Sequence, residues 1–169
     1  MSRPDLERVP AFYHNYIHQV EALNLPQALQ KHATDTIPFL QTIPADKWTF
    51  RYAEGKWTIK ELVQHIIDAE RIFNYRALCF SRRDETALPG FDEDFYASNS
   101  EANKRSPEEL LEELLIVQKS SVLLFQSFSE AQLEATGVAN GNPIYVNAIG
   151  FIIAGHTLHH LKIIRERYL

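Results

Sequence analysis

The stretch from Asn147 to Arg167 is the part of this chain that leaves the fold least freedom. Read as a helix at roughly 100° per residue, it places Ile149, Ile152, Ile153, Ile163 and Ile164 within about 60° of the line through His156 and His160. The two histidines are four residues apart, so they share a face one turn apart. That step also lets two imidazoles grip one metal ion. They sit in the middle of an apolar stripe that must face a core. A buried imidazole needs both ring nitrogens satisfied, and a shared metal ion serves two imidazoles at once. Phe151 and Leu158 lie opposite, so the helix is apolar nearly all round, which suggests a further covered surface such as a homodimer face.

The rest of the chain reads helical almost throughout, as one domain over residues 1–169 with a core of ample size. A first helix is expected over Pro10–Leu23, with Phe12, Tyr13, Tyr16, Val20 and Leu23 on one face. It breaks near Asn24-Leu25-Pro26 before a second stretch from Gln27 to Ile43, unless the two merge around a kink at Pro26. Residues 44–57 form a connector anchored by Trp48, Tyr52 and Trp57. Thr58-Ile59-Lys60-Glu61 fits a capping box that opens a helix to about Arg83. A loop at Leu88-Pro89-Gly90 leads to a short helix near Asp92–Ala97. Ser106-Pro107-Glu108-Glu109 starts a long helix reaching about Phe128, and Ser129 opens another short turn. Gly137–Pro143 reads as a loop, with one extended piece at Asn142-Pro143-Ile144. Long amphipathic helices in a chain of this length imply an all-α four-helix bundle, where metal sites are built from facing helices.

His65 is the best third ligand, because it lies in line with Leu62, Ala69 and Ile72 on the apolar face of its own helix. Three neutral imidazoles from two helices would hold Zn²⁺, Ni²⁺ or Fe²⁺ and leave positions open. Three core histidines, each bonded to a carbonyl or hydroxyl, are the competing account. His14 and His18 repeat the same spacing but fall opposite the apolar face, so they read as surface. His32 has no assignment, and His159 lies off its stripe as a flanking or surface residue. Arg76 shares the His65 face, where it either anchors an anionic substrate group or pairs with an acid from another helix, the pair being preferred. Gln118 and Ser121 face inward, toward an imidazole or toward their own backbone. Asp68, one turn from His65, either orients that ring or is a solvated flank. Cys79 is about 14 residues and ~21 Å of helix rise from His65, so it reads as a buried core residue and not as a ligand or nucleophile.

Net charge sets the partner class. With 17 Lys and Arg against 22 Asp and Glu, net −5, and no basic run, a nucleic-acid partner is disfavoured. One cysteine excludes an internal disulfide. The polar start lacks a secretory apolar run and no apolar run approaches a membrane span, so the expected location is cytoplasmic, with no membrane partner.

Trp57-Thr58-Ile59-Lys60-Glu61-Leu62-Val63-Gln64-His65, followed far downstream by His156-Thr157-Leu158-His159-His160, resembles the DinB-like superfamily, the YfiT group included. The family pattern is Trp-Ser/Thr-x-x-Glu-x-x-x-His, then His-x-x-x-His, and the resemblance covers nearly the whole chain. It implies an up-down-down-up four-helix bundle with a long crossover between helices two and three, frequent homodimers, and a divalent metal held by histidines that map onto His65, His156 and His160. It also implies metal-assisted thiol chemistry, with S-transferases using bacillithiol or mycothiol and relatives that isomerise maleylpyruvate. The expectation is therefore a small-molecule thiol and an electrophile at an open three-histidine site, with a metal-dependent hydrolase as the close variant. A non-catalytic, metal-stabilised stress or interaction module is the rival.

Overall fold

The computed structural model describes residues 2–169. The helices are α1 (His14–Gln19), α2 (Leu25–Leu40), α3 (Ile59–Ser81), α4 (Glu93–Asn99), α5 (Pro107–Gln126), α6 (Glu130–Leu133) and α7 (Val146–Ile163). Two strands, β1 (Thr136–Ala139) and β2 (Asn142–Tyr145), lie between α6 and α7, and a wider helical turn, Ile164–Tyr168, extends α7.

The starts of the long helices are chemically explicit. The Thr58 hydroxyl accepts from the Glu61 N–H at 3.1 Å, and Glu61 accepts from the Thr58 N–H at 2.7 Å. Ser106 and Glu109 close the same reciprocal box on α5, with Pro107 in its first turn. Asn24 caps α2 and Pro26 sits in its first turn, where a missing N–H costs nothing. The four long helices form a ring: α2 and α3 each pack against both α5 and α7.

The first helix differs from expectation. Only six residues, His14–Gln19, are α-helical, preceded by one tight turn at Ala11–Tyr13 and ended by Val20 in an extended conformation. Phe12 and Leu23, expected on the inner face, are 55% and 73% exposed. The all-α expectation is corrected too. Thr136–Tyr145 is a small antiparallel hairpin with Thr136 opposite Tyr145 and Ala139 opposite Asn142. Asn140 and Gly141 both have positive φ, 50° and 73°, which the two-residue turn requires and which this residue pair tolerates best. Leu88 bridges to Ala139 and ties the loop after α3 to the hairpin. No helix among the described residues is long and apolar enough to cross a membrane.

The apolar interior falls into two clusters. One gathers the C-terminal part of α3, the N-terminal part of α7, α1 and the hairpin. The other gathers the N-terminal parts of α3 and α5, the end of α2 and the chain terminus. Buried polar side chains occupy the waist between them: His32 and Thr36 on α2, His65 and Glu70 on α3, Gln118 and Ser121 on α5, His156 and His160 on α7. Phe151 on α7 is fully covered within the chain itself.

Candidate metal centre

His65 and the pair His156 and His160 meet on one side of that waist. The Nε2 of His156 lies 3.0 Å from the Nε2 of His65 and 3.0 Å from the Nε2 of His160. One ligand atom from each ring falls within 4.8 Å of the other two. Two imidazole nitrogens bound at the usual ~2.1 Å to one ion stand about 3.0–3.4 Å apart, so the donor set fits a single divalent ion. Their electrostatics fit as well. Burial pushes the His65 pKa down to about 4, against a small opposing pull from Asp94. Burial, then the neighbouring imidazoles, holds His156 and His160 well below the ordinary range. All three rings are neutral near pH 7, the form in which imidazole is a ligand. Hydrogen bonds among three converging Nε2 atoms cannot serve all of them, and the Nδ1 of His160 has no partner among the described residues.

Aromatic rings fix the imidazoles. Trp57 lies over His65 with centroids 4.8 Å apart. Tyr16 meets His156 edge-on at 5.4 Å, and Phe73 approaches it at 6.2 Å. Gly155, next to His156, makes the Tyr16 contact possible, because a Cβ there would run into the Tyr16 backbone carbonyl. Thus α1 lies directly on α7.

The three histidines form the floor of an open cavity of about 380 Å³. Its walls include Tyr13, Tyr16, Trp57, Phe73 and Phe91, with Arg76, Glu93 and Asn140 supplying polar atoms. A second depression of about 260 Å³ reaches His160 past Trp57 and is edged by Tyr52 and Tyr168. Among the described residues no other His, Cys, Asp or Glu joins the three ligands, so one side stays open.

The remaining candidates fall elsewhere. His18 is exposed, but His14 is half-buried, its Nε2 2.9 Å from the Val9 carbonyl oxygen; neither joins the cluster. His159 is half-buried against Tyr16 at 5.3 Å. His32 is hydrogen-bonded to Glu70 at 3.1 Å, and Ser121 donates to the other Glu70 oxygen at 2.5 Å. Ser121 therefore meets a carboxyl group and the Val117 carbonyl of its own helix, not an imidazole, and Gln118 has no hydrogen-bond partner among the described residues at either amide atom. Asp68 accepts from Gln64 at 2.9 Å, so it braces α3 and does not orient His65. The acid expected to pair with Arg76 is not found among the described residues; Arg76 donates instead to the Pro89 carbonyl at 2.9 Å. Cys79 is buried in the first apolar cluster. Trp48 is core, while Trp57 borders the cavity. The sequence reading missed Tyr13, Tyr16 and Phe91 as cavity walls. Only the contact of α1 with α7 and the pinning of the Leu88 loop bring them there.

The chain matches the family model described as the DinB superfamily over residues 28–164. Among solved structures, YfiT from Bacillus subtilis is similar with a TM-score of 0.69 at 17% sequence identity, over 98% of this chain and 91% of that one. That structure is described as a probable metal-dependent hydrolase with an unusual four-helix bundle topology. At this identity the likeness is one of fold. No curated protein matches the chain.

Proposed function

The chain belongs to the DinB superfamily, and from that premise we propose that it is a metal-dependent enzyme that joins a small thiol to an electrophile. One observation carries the reading: three neutral imidazoles converge, with no fourth protein ligand among the described residues, on the floor of an open aromatic cavity. Imidazole donors suit zinc, nickel or iron. Such an ion, when bound, lowers the pKa of a thiol or water at its open position.

The chain's own residues supply the rest. Burial keeps His65, His156 and His160 unprotonated and free to ligate at neutral pH. Tyr16, Phe73 and Trp57 pack against the imidazoles and hold the rings in place. The chain's one cysteine, Cys79, is buried outside the cavity, so the sulfur nucleophile comes from a substrate. Hydrolysis is the second reading; it needs the same ligand set with water as nucleophile, and YfiT's description favours it. A purely structural metal is opposed by the cavity, since structural sites close with a fourth protein ligand.

Loading the protein with Co²⁺ and titrating 2-mercaptoethanol tests this. The expected result is a new sulfur-to-cobalt charge-transfer band, absent in His156→Ala, together with conjugation of the thiol to monobromobimane. An unchanged cobalt spectrum with turnover of p-nitrophenyl acetate would replace the thiol reading with hydrolysis. No response to either probe would leave a structural metal.

A further inference from the structure

Arg76 is 4% exposed, yet its charge is unmatched. None of the ion pairs among the described residues includes it. Among the described residues it donates to the Pro89 carbonyl and meets the Tyr13 phenol, which leaves much of its five-donor fork unused. A guanidinium does not shed its proton, so burial without a counter-charge is costly and calls for an anion. The side chain lines the same cavity as the three histidines. Phe73 neighbours both, its ring 5.7 Å from the guanidinium carbon and 6.2 Å from the His156 ring, so the cation and the histidines share one aromatic wall. Tyr13 lies close by. Burial raises its phenol's pKa, and the neighbouring Arg76 charge pulls it partly back.

We propose that the cavity binds small carboxylic acids: Arg76 takes the carboxylate in its planar fork, the aromatic walls take the carbon skeleton, and the far end reaches the three-histidine centre. The reacting end rests on the function proposed above; the anion site does not. A single cation, with the Glu93 carboxyl group on the same cavity wall, suits a monoanionic carboxylate better than a dianionic phosphate. Glu93 adds repulsion to an incoming anion, so its removal should help binding.

Calorimetric titration of the metal-loaded protein with 3-phenylpropionate and with 3-phenylpropanamide tests the proposal. The acid should bind at least tenfold tighter than the amide. Arg76→Gln should abolish that preference while keeping about one metal ion per chain and the wild-type helical circular dichroism. Arg76→Lys should retain part of it, and Glu93→Gln should tighten the acid severalfold without needing Arg76 to be altered. Equal affinity for acid and amide, or no binding of either, overturns the proposal. So does acid binding that persists in Arg76→Gln or disappears with the metal in His156→Ala. Acid preference preserved in metal-free His156→Ala supports the anion site even where the metal-dependent reading fails. Phosphate competing better than the acid would also overturn it.

Discussion

Two buried polar clusters, one built on His32 and one on His65, His156 and His160, share the waist of this bundle and meet the same physical demand in different ways. His32, on α2, is answered at one nitrogen by a carboxyl group: Glu70 takes its Nε2 at 3.1 Å while its Nδ1 has no partner among the described residues, Ser121 donates to the other carboxyl oxygen, and Asn74 donates to Ser121 at 2.8 Å. His65, His156 and His160 meet no carboxyl group among the described residues, only one another, and they open onto a cavity. Both groups are equally buried, at 4% exposure for His32 and 6–8% for the three. Burial therefore does not separate a structural histidine from a ligand. What separates them is whether the protein sets a carboxyl group against the ring nitrogen, as Glu70 does for His32, or leaves three imidazole nitrogens aimed at a common point.

The largest expected effect breaks the comparison outright if it fails. His156→Ala should take the protein from about one divalent ion per chain to essentially none, measured by plasma mass spectrometry after dialysis, because two remaining imidazoles make a weak site. His32→Gln should leave the metal content unchanged. Metal loss in both, or in neither, would mean that the two groups are not distinct. The converse experiment addresses the self-contained group. Glu70→Leu keeps the volume but strands the His32 Nε2, while Ser121 keeps the Val117 carbonyl as its acceptor, and it should lower unfolding free energy by roughly 1–3 kcal/mol in urea denaturation. Metal content should survive.

Much of this contrast was open to sequence reasoning, and the part that was not has a physical cause. His65, His156 and His160 could be singled out because helical periodicity places each on an apolar face, and the capping boxes at Thr58 and Ser106 set where their helices begin. The partners of His32 and Arg76 could not. Glu70 and Ser121 come from helices whose mutual rotation is set by packing, and the acid expected for Arg76 is replaced by a carbonyl of the Pro89 loop. The hairpin is a different kind of miss. Asn140-Gly141 is a strong local turn signal, but the strands it joins are four residues each and lack clean alternation, so they read as a loop. The short α1 was over-read because aromatic residues at helical spacing look like a core face even when, as with Phe12, they border a cavity.

Acid titration of the metal-free protein sharpens the comparison next. A histidine whose pKa is lower folded than unfolded binds fewer protons in the native state. Its contribution is intact above the unfolded pKa of about 6.5 and is lost as pH falls from there toward the folded value. For His65, with a folded pKa of about 4, that loss amounts to about 3 kcal/mol across the interval, and His156 and His160 add to it in the same direction. Urea midpoints measured from pH 7.5 to 4.5 should fall steadily through this window. In His65→Phe the slope should be shallower. A slope unchanged by that substitution would place the sensitivity outside the three-histidine group.

The smallest expected effect probes how self-contained the second group is. Gln118 is fully buried on α5 beside Ser121's turn, and neither its amide nitrogen nor its oxygen has a partner among the described residues. If the His32–Glu70–Ser121 set is complete without it, Gln118→Leu removes two unpaired polar atoms and keeps the volume. Stability should then stay level or rise by about 1 kcal/mol, since losing an unmet buried polar group recovers its desolvation cost. A loss of more than about 2 kcal/mol would carry the opposite lesson. It would mean that Gln118 holds ordered water linking it to the unpaired Nδ1 of His32 or Oδ1 of Asn74. Both halves of the waist would then depend on a guest, a metal ion on one side and water on the other, and the distinction between them would be one of ligand chemistry.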